Sequence, residues 1–467
     1  MRNLFVLALA LTSAVASAAE HPNIVFMLSD DQGWSGTSVP MHPDLATSRG
    51  DIYHTPNLES LAGQGMRFSA AYAPAPVCSP TRISVQTGKS PAKLHWTKAA
   101  PAEVGRKLIE PKLIKSIASS EMTIGEMLHG AGYATAHYGK WHISGGGPGQ
   151  HGYDEHDGDT GNENAYRFTD PNPVDIFGMA ERAAAFMEKC AKSNKPFFIQ
   201  LSWNALHASE NALKVTLAKY ERSLFGNNAK QVTTAAITED LDTGVGRVVA
   251  AVDRLGLAGN TYVIYMSDNG AGGGGGRGGL NGGKGGVWEG GIRVPLIVRG
   301  PGVKANSWCH TRVVGYDLFS TFCEWAGIPT SDLPEGIEGG SIAALLAHEG
   351  QGQVTRPREE IIFHFPHYQS ADGPQSAILF GDLKLMHFYE DDRDALFDLS
   401  TDLGERNDLS ARMPEEVARL RERLQTYLKA IDAQFATPNP QYDPNQPVAT
   451  TRQKRGGKKG NQRKAYP

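Results

Sequence analysis

Short apolar runs rich in β-branched residues alternate with helical patterns through the first two thirds of this 467-residue chain. Such alternation is typical of βαβ units, which build a mainly parallel sheet flanked by helices. The predicted strands are residues 23–28, 133–137, 197–203, 262–266 and 296–299. The predicted helices are residues 55–64, 123–131, 178–190, 232–255 and 316–326. We therefore expect an α/β fold with a mainly parallel central sheet.

The pattern changes from about Ile337 to shorter strand-like runs followed by one helical stretch. The runs are residues 360–364, 376–380, 383–388 and 395–398, and the helix is predicted from Pro414 to about Phe435. This predicts a smaller C-terminal antiparallel sheet packed by one helix. We expect a catalytic α/β domain at 19–336, a small α+β subdomain at 337–436 and an extended or disordered basic tail at 437–467. A solvated tail is favoured over one that binds an anionic polymer.

The first residues resemble a secretory signal peptide. A short apolar run, residues 4–15, follows Arg2 and precedes Ala16-Ser17-Ala18. This run is shorter than the roughly twenty residues that a bilayer span needs, so we expect no stable membrane anchor. We predict a signal peptide at 1–18 and a periplasmic or secreted protein, with a buried N-terminal helix as the alternative. The net charge of −4 gives no general basic surface for nucleic acid, and no nucleic-acid partner is expected.

The chain has four cysteines, too few for a fold held together by disulfides. Cys309 and Cys323 are the nearest pair in sequence, and the sequence leaves open whether they form a disulfide. Cys78 stands apart from the others in a proline-rich segment. That isolation indicates a thiol reserved for chemistry.

Polar residues follow four of the predicted strands. The segments are Ser29-Asp30-Asp31, Gly139-Lys140-Trp141-His142, Asn204-Ala205-Leu206-His207 and Ser267-Asp268-Asn269-Gly270. Open α/β sheets bind ligands at the carboxyl ends of their strands. The oxygen ligands of Asp30, Asp31, Asp268 and Asn269 favour Ca²⁺ or Mg²⁺ over zinc. The adjacent aspartates alone are also common as turn formers and helix caps.

The segment Cys78-Ser79-Pro80-Thr81-Arg82, followed by Thr87-Gly88, carries a family resemblance. It resembles the signature of the formylglycine-dependent, or type I, sulfatases of the alkaline-phosphatase superfamily. The resemblance implies that a separate formylglycine-generating or sulfatase-maturing enzyme oxidises Cys78 to formylglycine (3-oxoalanine). Thr81 stands where serine is commonest in the family, outside the Cys, Pro and Arg that the maturing enzyme recognises.

The resemblance covers nearly the whole mature chain and implies a set of site residues. The implied ligands of one Ca²⁺, or alternatively Mg²⁺, are Asp30, Asp31, the modified Cys78, Asp268 and Asn269. The implied catalytic residues are Cys78, Arg82, Lys140, His142, His207 and Lys284. The segment that ends in His207 lacks the proline that often precedes this histidine in the family.

The resemblance also implies a mechanism for sulfate ester hydrolysis. The hydrated aldehyde attacks sulfur, while the metal, Lys140 and Lys284 neutralise the sulfate oxygens. Arg82 orients the hydrate. His207, with Lys284, protonates the leaving alcohol, and His142 removes the proton whose loss expels sulfate and regenerates the aldehyde.

Histidines and aromatic residues indicate a pocket for a sugar ring. We expect substrate contacts from His95, Trp288, His364 and His367, although core packing is the alternative for each aromatic residue. A sulfated poly- or oligosaccharide is the favoured substrate, as in similar bacterial polysaccharide sulfatases. The alternatives are a small aryl sulfate, a phosphoester or phosphonate in the same superfamily, or a glycan-binding protein without activity. Related phosphatases usually hold two zinc ions and have an Asp-His pair where this chain has Asp268-Asn269.

Overall fold

The computed structural model describes residues 21–207, 211–223, 225–272, 277–446 and 448–450. The predicted signal peptide at 1–18 and the basic run from Arg452 to Lys464 lie outside these ranges. Within them, no helix is both long enough and apolar enough to span a bilayer.

The strands of the first two thirds are β1 (Asn23–Ser29), β2 (Met66–Phe68), β3 (Ala71–Tyr72), β4 (Glu103–Val104), β5 (Leu108–Ile109), β6 (Ala134–Gly139), β7 (Glu155–His156), β8 (Phe197–Ser202), β9 (Thr261–Ser267), β10 (Leu296–Arg299), β11 (Ser307–Cys309) and β12 (Val313–Val314). The later strands are β13 (Ile361–Phe365), β14 (Gln375–Phe380), β15 (Leu383–Phe388), β16 (Arg393–Asp398), β17 (Thr437–Pro438) and β18 (Ala449–Thr450). The helices are α1 (Pro56–Gly63), α2 (Cys78–Thr87), α3 (Ile124–Gly130), α4 (Asn162–Ala165), α5 (Ile176–Ser193), α6 (Lys214–Glu221), α7 (Ala229–Arg254), α8 (Glu289–Ile292), α9 (Asp317–Trp325), α10 (Ala343–Ala347) and α11 (Pro414–Ala430).

The central sheet has the strand order β11-β2-β10-β9-β1-β8-β6-β7. Neighbouring strands from β9 to β7 run parallel, whereas β10 runs antiparallel to both β9 and β2. All five predicted strands belong to this sheet. The expected α/β fold with a mainly parallel sheet is therefore confirmed.

Helices cover both faces of the sheet, and the two-residue period of β1 shows how the faces are divided. Val25 and Met27 pack with α5 and α7 on one face, whereas Ile24 and Phe26 pack with α2, α3 and α9 on the other. A strand covered on both faces is apolar throughout, which is why these strands read as continuous apolar runs. Helix α2 thereby lies on the sheet with its first residue, Cys78, toward the strand ends.

The C-terminal part forms the antiparallel sheet β13-β14-β15-β16, packed by α11. The predicted C-terminal antiparallel sheet plus helix is confirmed, with α11 ending at Ala430 rather than near Phe435. The other face of this sheet packs against residues of the main domain, among them Tyr72, Val77 and Val287. The described part of the predicted tail includes β17 and β18, which pair with β5 and β4.

Candidate active site

Four neighbouring strands, β9, β1, β8 and β6, end at the same edge of the central sheet. Asp30 and Asp31 follow β1, Asp268 and Asn269 follow β9, Lys140 and His142 follow β6, and His207 follows β8. The sheet topology therefore brings together the polar segments that the sequence places at separate strand ends.

Cys78 is the first residue of α2, and its thiol is buried at this edge. Its Sγ lies 3.2 Å from Asp30 Oδ1 and 3.9 Å from Asp31 Oδ1. Lys284 Nζ lies 3.3 Å from the same sulfur. Burial, and then the charges of Asp268 and Asp30, raise the pKa of the Cys78 thiol well above its ordinary value. The unmodified thiol therefore stays protonated and is a poor nucleophile.

The glycine of the Thr87-Gly88 pair ends α2. Gly88 has a φ of 68°, the left-handed conformation that closes many helices, and a Cβ there would meet Phe319 and Ile337 at 3.0 Å. The helix that carries Cys78 thus has a fixed length and packs closely on α9.

The oxygen donors gather around the thiol. One ligand atom from each of Asp30, Asp31, Cys78 and Asp268 lies within 4.8 Å of the others. Asn269 Nδ2 donates to Asp31 Oδ1 at 2.9 Å. We call these five residues the sheet-edge cluster.

One atom of the sheet-edge cluster lacks a partner in the described structure. Asn269 Oδ1 is buried and accepts no hydrogen bond from any described residue. An unpaired buried amide oxygen is costly, and a cation among the carboxylates would give it a partner. Carboxylate and amide oxygens are ligands that calcium and magnesium prefer. The donor set therefore fits a hard divalent cation.

Cations of the chain surround the same carboxylates. Lys140 Nζ lies 2.5 Å from Asp30 Oδ2, and Lys284 Nζ contacts Asp31 Oδ1. Arg82 donates from Nε and Nη2 to Asp268 Oδ2 at 3.1 and 2.7 Å, and from Nη1 to the Lys140 carbonyl at 2.7 Å. Asp31 and Asp268 are thus each paired with one cationic side chain, whereas Asp30 is paired with Lys140 and, at 3.8 Å, with Arg82 Nη2.

The pKa values of Asp30 and Asp268 are shifted in opposite directions. Burial opposes the ionisation of Asp30, but Lys140 and Arg82 outweigh it and hold the pKa of Asp30 well below its ordinary value. Burial, reinforced by the neighbouring Asp30, raises the pKa of Asp268 to about 6. Further positive charge at this edge would favour the ionised form of Asp268.

His142 lies beside Cys78 because Ser79, the next residue along α2, holds it. Ser79 Oγ lies 3.1 Å from His142 Nδ1 and donates to the His142 carbonyl at 2.8 Å. Burial, and then the charges of Lys140 and Arg82, lower the pKa of His142 to about 2. The imidazole is therefore neutral.

His207 is half-buried and stacks on Tyr166, whose hydroxyl lies 3.1 Å from His207 Nδ1. Burial lowers the pKa of His207, although the nearby charge of Asp30 works in the opposite direction. Sequence reasoning missed Ser79 and Tyr166 as orienting partners. For Ser79 the signal was its place next to Cys78, whereas nothing in the sequence links Tyr166 to His207.

Of the predicted substrate residues, only Trp288 lies next to the sheet-edge cluster. It lines a cleft of about 550 Å³ together with Asp31 and Lys284. His95 contacts the Asp432 carbonyl, and buried His364 contacts Ser376 and the Gln434 carbonyl. His367 is also buried, between Glu110 and Thr97. The structure does not bring these three histidines to the cleft.

Two family models match most of the chain. Residues 22–328 match the family model described as sulfatase, and residues 283–434 match the model for the C-terminal part of N-sulphoglucosamine sulphohydrolase. The chain therefore belongs to the sulfatase family and is a sulfuric ester hydrolase.

Several named proteins resemble the chain over most of its length. An N-acetylgalactosamine-6-sulfatase from Sus scrofa is 31% identical over 393 residues, covering 75% of this chain and 70% of that protein. A sulfatase from Formosa agariphila is 28% identical, with coverages of 87% and 88%. Arylsulfatase A from Homo sapiens is 27% identical, with coverages of 82% and 78%.

Solved structures share the fold at lower sequence identity. The structure of Ps i-CgsB in complex with k-i-k-neocarrahexaose superposes with a TM-score of 0.74 at 22% identity, covering 89% of this chain and 94% of that one. A protein solved with its substrate D-glucosamine-2-N,6-O-disulfate superposes with a TM-score of 0.68 at 19% identity, covering 91% and 100%.

Proposed function

We propose that this protein removes sulfate from a sulfated carbohydrate after Cys78 has been oxidised to formylglycine. The proposed metal is one Ca²⁺, held by Asp30, Asp31, Asp268, Asn269 and the modified residue 78. The observation that carries the proposal is the sheet-edge cluster, in which hard oxygen donors surround a buried cysteine and Asn269 Oδ1 has no partner in the described structure.

Oxidation of Cys78 and binding of calcium would together make the site reactive. An aldehyde at position 78 offers a hydrated carbon whose hydroxyl can attack sulfur, which the protonated thiol of Cys78 does poorly. Calcium, when bound, supplies positive charge for the sulfate oxygens.

The chain's own cations bind and orient the ester. Lys284 contacts both Asp31 and the Cys78 sulfur, so its ammonium lies where a sulfate oxygen would approach residue 78. Lys140 is held at Asp30 by a 2.5 Å contact. Arg82 fixes Asp268 and the Lys140 carbonyl, and it therefore keeps two strand ends in register around the nucleophile. Such preorganised charge stabilises the transition state without reorganisation.

The two histidines suit opposite proton transfers. His142 is held beside residue 78 by Ser79, and the negative charge of a sulfated residue 78 would raise its low pKa, so that it could accept the proton from the hydroxyl of that residue. His207 interacts with the charges of Asp30, Asp31, Lys140 and Lys284, which places it at the same edge. An anionic ester bound there would favour protonated His207, which can then donate a proton to the leaving oxygen.

The names of the relatives support a carbohydrate substrate. An N-acetylgalactosamine-6-sulfatase is 31% identical, and a structural neighbour was solved in complex with k-i-k-neocarrahexaose. The likeness to arylsulfatase A supports a small aryl sulfate as the second candidate. A phosphoester or phosphonate is less favoured, because the Asp268-Asn269 pair lacks the histidine of the two-zinc phosphatases.

The proposal includes export and maturation. The N-terminal sequence predicts a signal peptide at 1–18, and a periplasmic or secreted protein would meet extracellular glycans. Conversion of Cys78 requires a separate maturing enzyme as a transient partner.

The proposal is tested by mass spectrometry of the Cys78 peptide from cells that express the maturing enzyme. A loss of about 18 Da, expected for thiol-to-aldehyde conversion, should accompany sulfate release from N-acetylgalactosamine 6-sulfate, a carrageenan oligosaccharide or nitrocatechol sulfate. Release only from nitrocatechol sulfate would favour the aryl sulfate candidate. A plain cysteine in fully active protein would contradict the formylglycine mechanism.

A further inference from the structure

The cleft beside the sheet-edge cluster holds a cation that the mechanism does not use. Arg277 lines this cleft with Asp31, Lys284 and Trp288, and its side chain is exposed. A Cβ built on Gly283 would lie 3.5 Å from Arg277 Nε. The guanidinium therefore packs against the backbone next to Lys284.

The two cations of the cleft differ in their partners. Lys284 contacts Asp31, so its charge is compensated within the chain. The guanidinium of Arg277 has neither an ion pair nor a hydrogen bond within the described residues. The residues immediately before it, Gly273 to Gly276, carry no acidic side chain. One positive charge in the cleft is thus left for a bound molecule.

The segment that connects β13 to β14 forms another part of the cleft lining. Asp372 Oδ2 accepts from Trp288 Nε1 at 2.9 Å, and a Cβ on Gly285 would meet Gln369 at 2.7 Å. The Trp288 ring is fixed further by Phe388 and Phe397 at centroid distances of 5.8 and 5.6 Å. The cleft therefore has a positioned aromatic side chain with a carboxylate beside it.

The charges of Arg277 and Asp372 would distinguish anionic from neutral substituents on a bound sugar. A guanidinium binds sulfate or carboxylate oxygens through two donors, whereas a carboxylate repels them and accepts from hydroxyls. We propose that Arg277 selects saccharides that carry a second anionic group beside the scissile sulfate, and that Asp372 requires a neutral, hydroxyl-bearing side near Trp288. This inference rests on the proposed function, because it assumes that the scissile sulfate lies at the sheet-edge cluster.

The test compares matched saccharides as inhibitors of nitrocatechol sulfate turnover. One pair is N-acetylglucosamine 6-sulfate and glucosamine-2-N,6-O-disulfate, which differ by a second sulfate. The other is N-acetylgalactosamine 6-sulfate and the uronate-containing disaccharide from chondroitin 6-sulfate, which differ by one sugar residue that carries a carboxylate. In the unaltered enzyme the dianionic member should bind about tenfold more tightly in at least one pair. The pair that responds identifies the second group as sulfate or carboxylate.

Two variants test the contributions of Arg277 and Asp372 separately. Arg277→Gln should reduce the preference to about one, and Asp372→Asn, which keeps an acceptor for Trp288 Nε1, should increase it about twofold. Arg406→Gln is the matched control, because this exposed arginine does not line the cleft and should keep the original preference. The preference of the unaltered enzyme should also fall with rising salt.

Calorimetric titration of the Cys78→Ala protein with the same saccharides gives the preference without turnover. A missing preference in both pairs, a preference unchanged in Arg277→Gln, or no binding by any of these saccharides would overturn the inference. If the unaltered protein had no sulfatase activity but still bound the dianionic saccharides more tightly, the proposed function would be contradicted. The proposed role of Arg277 in binding would still hold.

Discussion

The sheet-edge cluster and a second group of buried charges, Glu289, Arg293, Lys384 and Glu405, show two uses of the same residue types. We call the second group the junction cluster, because Lys384 in β15 joins the C-terminal sheet to α8 of the main domain. Lys384 Nζ lies 3.0 Å from Glu289 Oε1 and 2.7 Å from Glu405 Oε1, and Arg293 Nε lies 2.7 Å from Glu289 Oε2.

The two clusters differ in how completely their charged groups are buried and paired. All four side chains of the junction cluster are buried, and Glu405 Oε2 accepts from the Glu289 N–H at 2.8 Å. Glu405 Oε1 has no well-directed hydrogen bond within the described residues, but it lies 2.7 Å from Lys384 Nζ and is ion-paired there. In the sheet-edge cluster, Asp31 borders an open cleft and Asn269 Oδ1 has no partner in the described structure. A closed network holds the C-terminal sheet to the main domain, whereas an open one with an unpaired acceptor oxygen is ready to bind a cation. Loss of a charge should therefore reduce stability in the first case and activity in the second.

The largest effect is expected from Cys78→Ala. If residue 78 supplies the nucleophile, its removal should lower kcat/KM for sulfate release by about a thousandfold or more. The thermal unfolding midpoint should change little, because the thiol makes only weak contacts with its neighbours. Cys190→Ala is the matched control, since Cys190 is buried on α5 away from the sheet edge. Comparable activity in the Cys78→Ala and unaltered proteins would refute the proposed nucleophile.

The comparison between the clusters is sharpened by two lysine variants. Lys384→Met leaves two buried carboxylates short of a cation and should lower the free energy of unfolding by about 3–5 kcal/mol. Lys284→Met should lower kcat/KM by about a hundredfold, because Lys284 would contact the sulfate. Its free energy of unfolding should fall by less than that of Lys384→Met, because Lys284 and Asp31 keep 18% and 13% of their side-chain exposure whereas Lys384 and its two carboxylates are fully buried. Denaturant unfolding and sulfate release are measured on both proteins, and equal stability losses would show that the clusters do not differ as argued.

The sequence was sufficient for those parts of the fold and site that depend on local pattern. Apolar runs placed β1, β6, β8 and β9, and parallel topology then required their polar ends to meet at one edge. Each predicted residue of the sheet-edge cluster lies within a few positions of a strand end or helix start. The short distance in sequence from a strand end or helix start therefore determines where these side chains lie.

Contacts between distant segments could not be predicted in this way. His367 was expected to bind substrate, but its Nδ1 lies 2.8 Å from an oxygen of Glu110, 257 positions away. The Asp372–Trp288 hydrogen bond and the pairing of β17 with β5 also depend on how the C-terminal sheet packs. A histidine next to aromatic residues has the same local pattern whether it is packed in a core or faces a cleft.

A third prediction concerns the metal. Asn269→Ala removes the unpartnered oxygen and should weaken calcium binding about tenfold to a hundredfold. Calcium should raise the unfolding midpoint of the unaltered protein, because a ligand that binds only the folded state stabilises it. Asn204→Ala serves as the control, since this buried asparagine follows β8 but lies outside the sheet-edge cluster. Calcium titrations followed by thermal unfolding should give a smaller shift for Asn269→Ala alone.

The smallest expected effect is on the pH dependence of stability, and it concerns the junction cluster. Burial, reinforced by Glu289 and opposed by Lys384, raises the pKa of Glu405 from 4.5 to about 7. Between these values the folded state retains a proton that the unfolded state has lost, so stability should fall as pH rises from 4.5 to 7. Glu405→Gln cannot lose this proton and should flatten that fall by about 1–2 kcal/mol.

Asp408→Asn provides the control for this slope. Burial opposes the ionisation of Asp408, but the N–H groups of Leu396 and Ser410 hold its pKa below the ordinary value. Its contribution is therefore lost only as pH falls through the acidic range, and the slope between pH 4.5 and 7 should stay as in the unaltered protein. Urea unfolding at several pH values measures all three proteins. An unchanged slope in Glu405→Gln would mean that Lys384 keeps Glu405 ionised in the folded state, so that the junction cluster carries no proton near neutral pH.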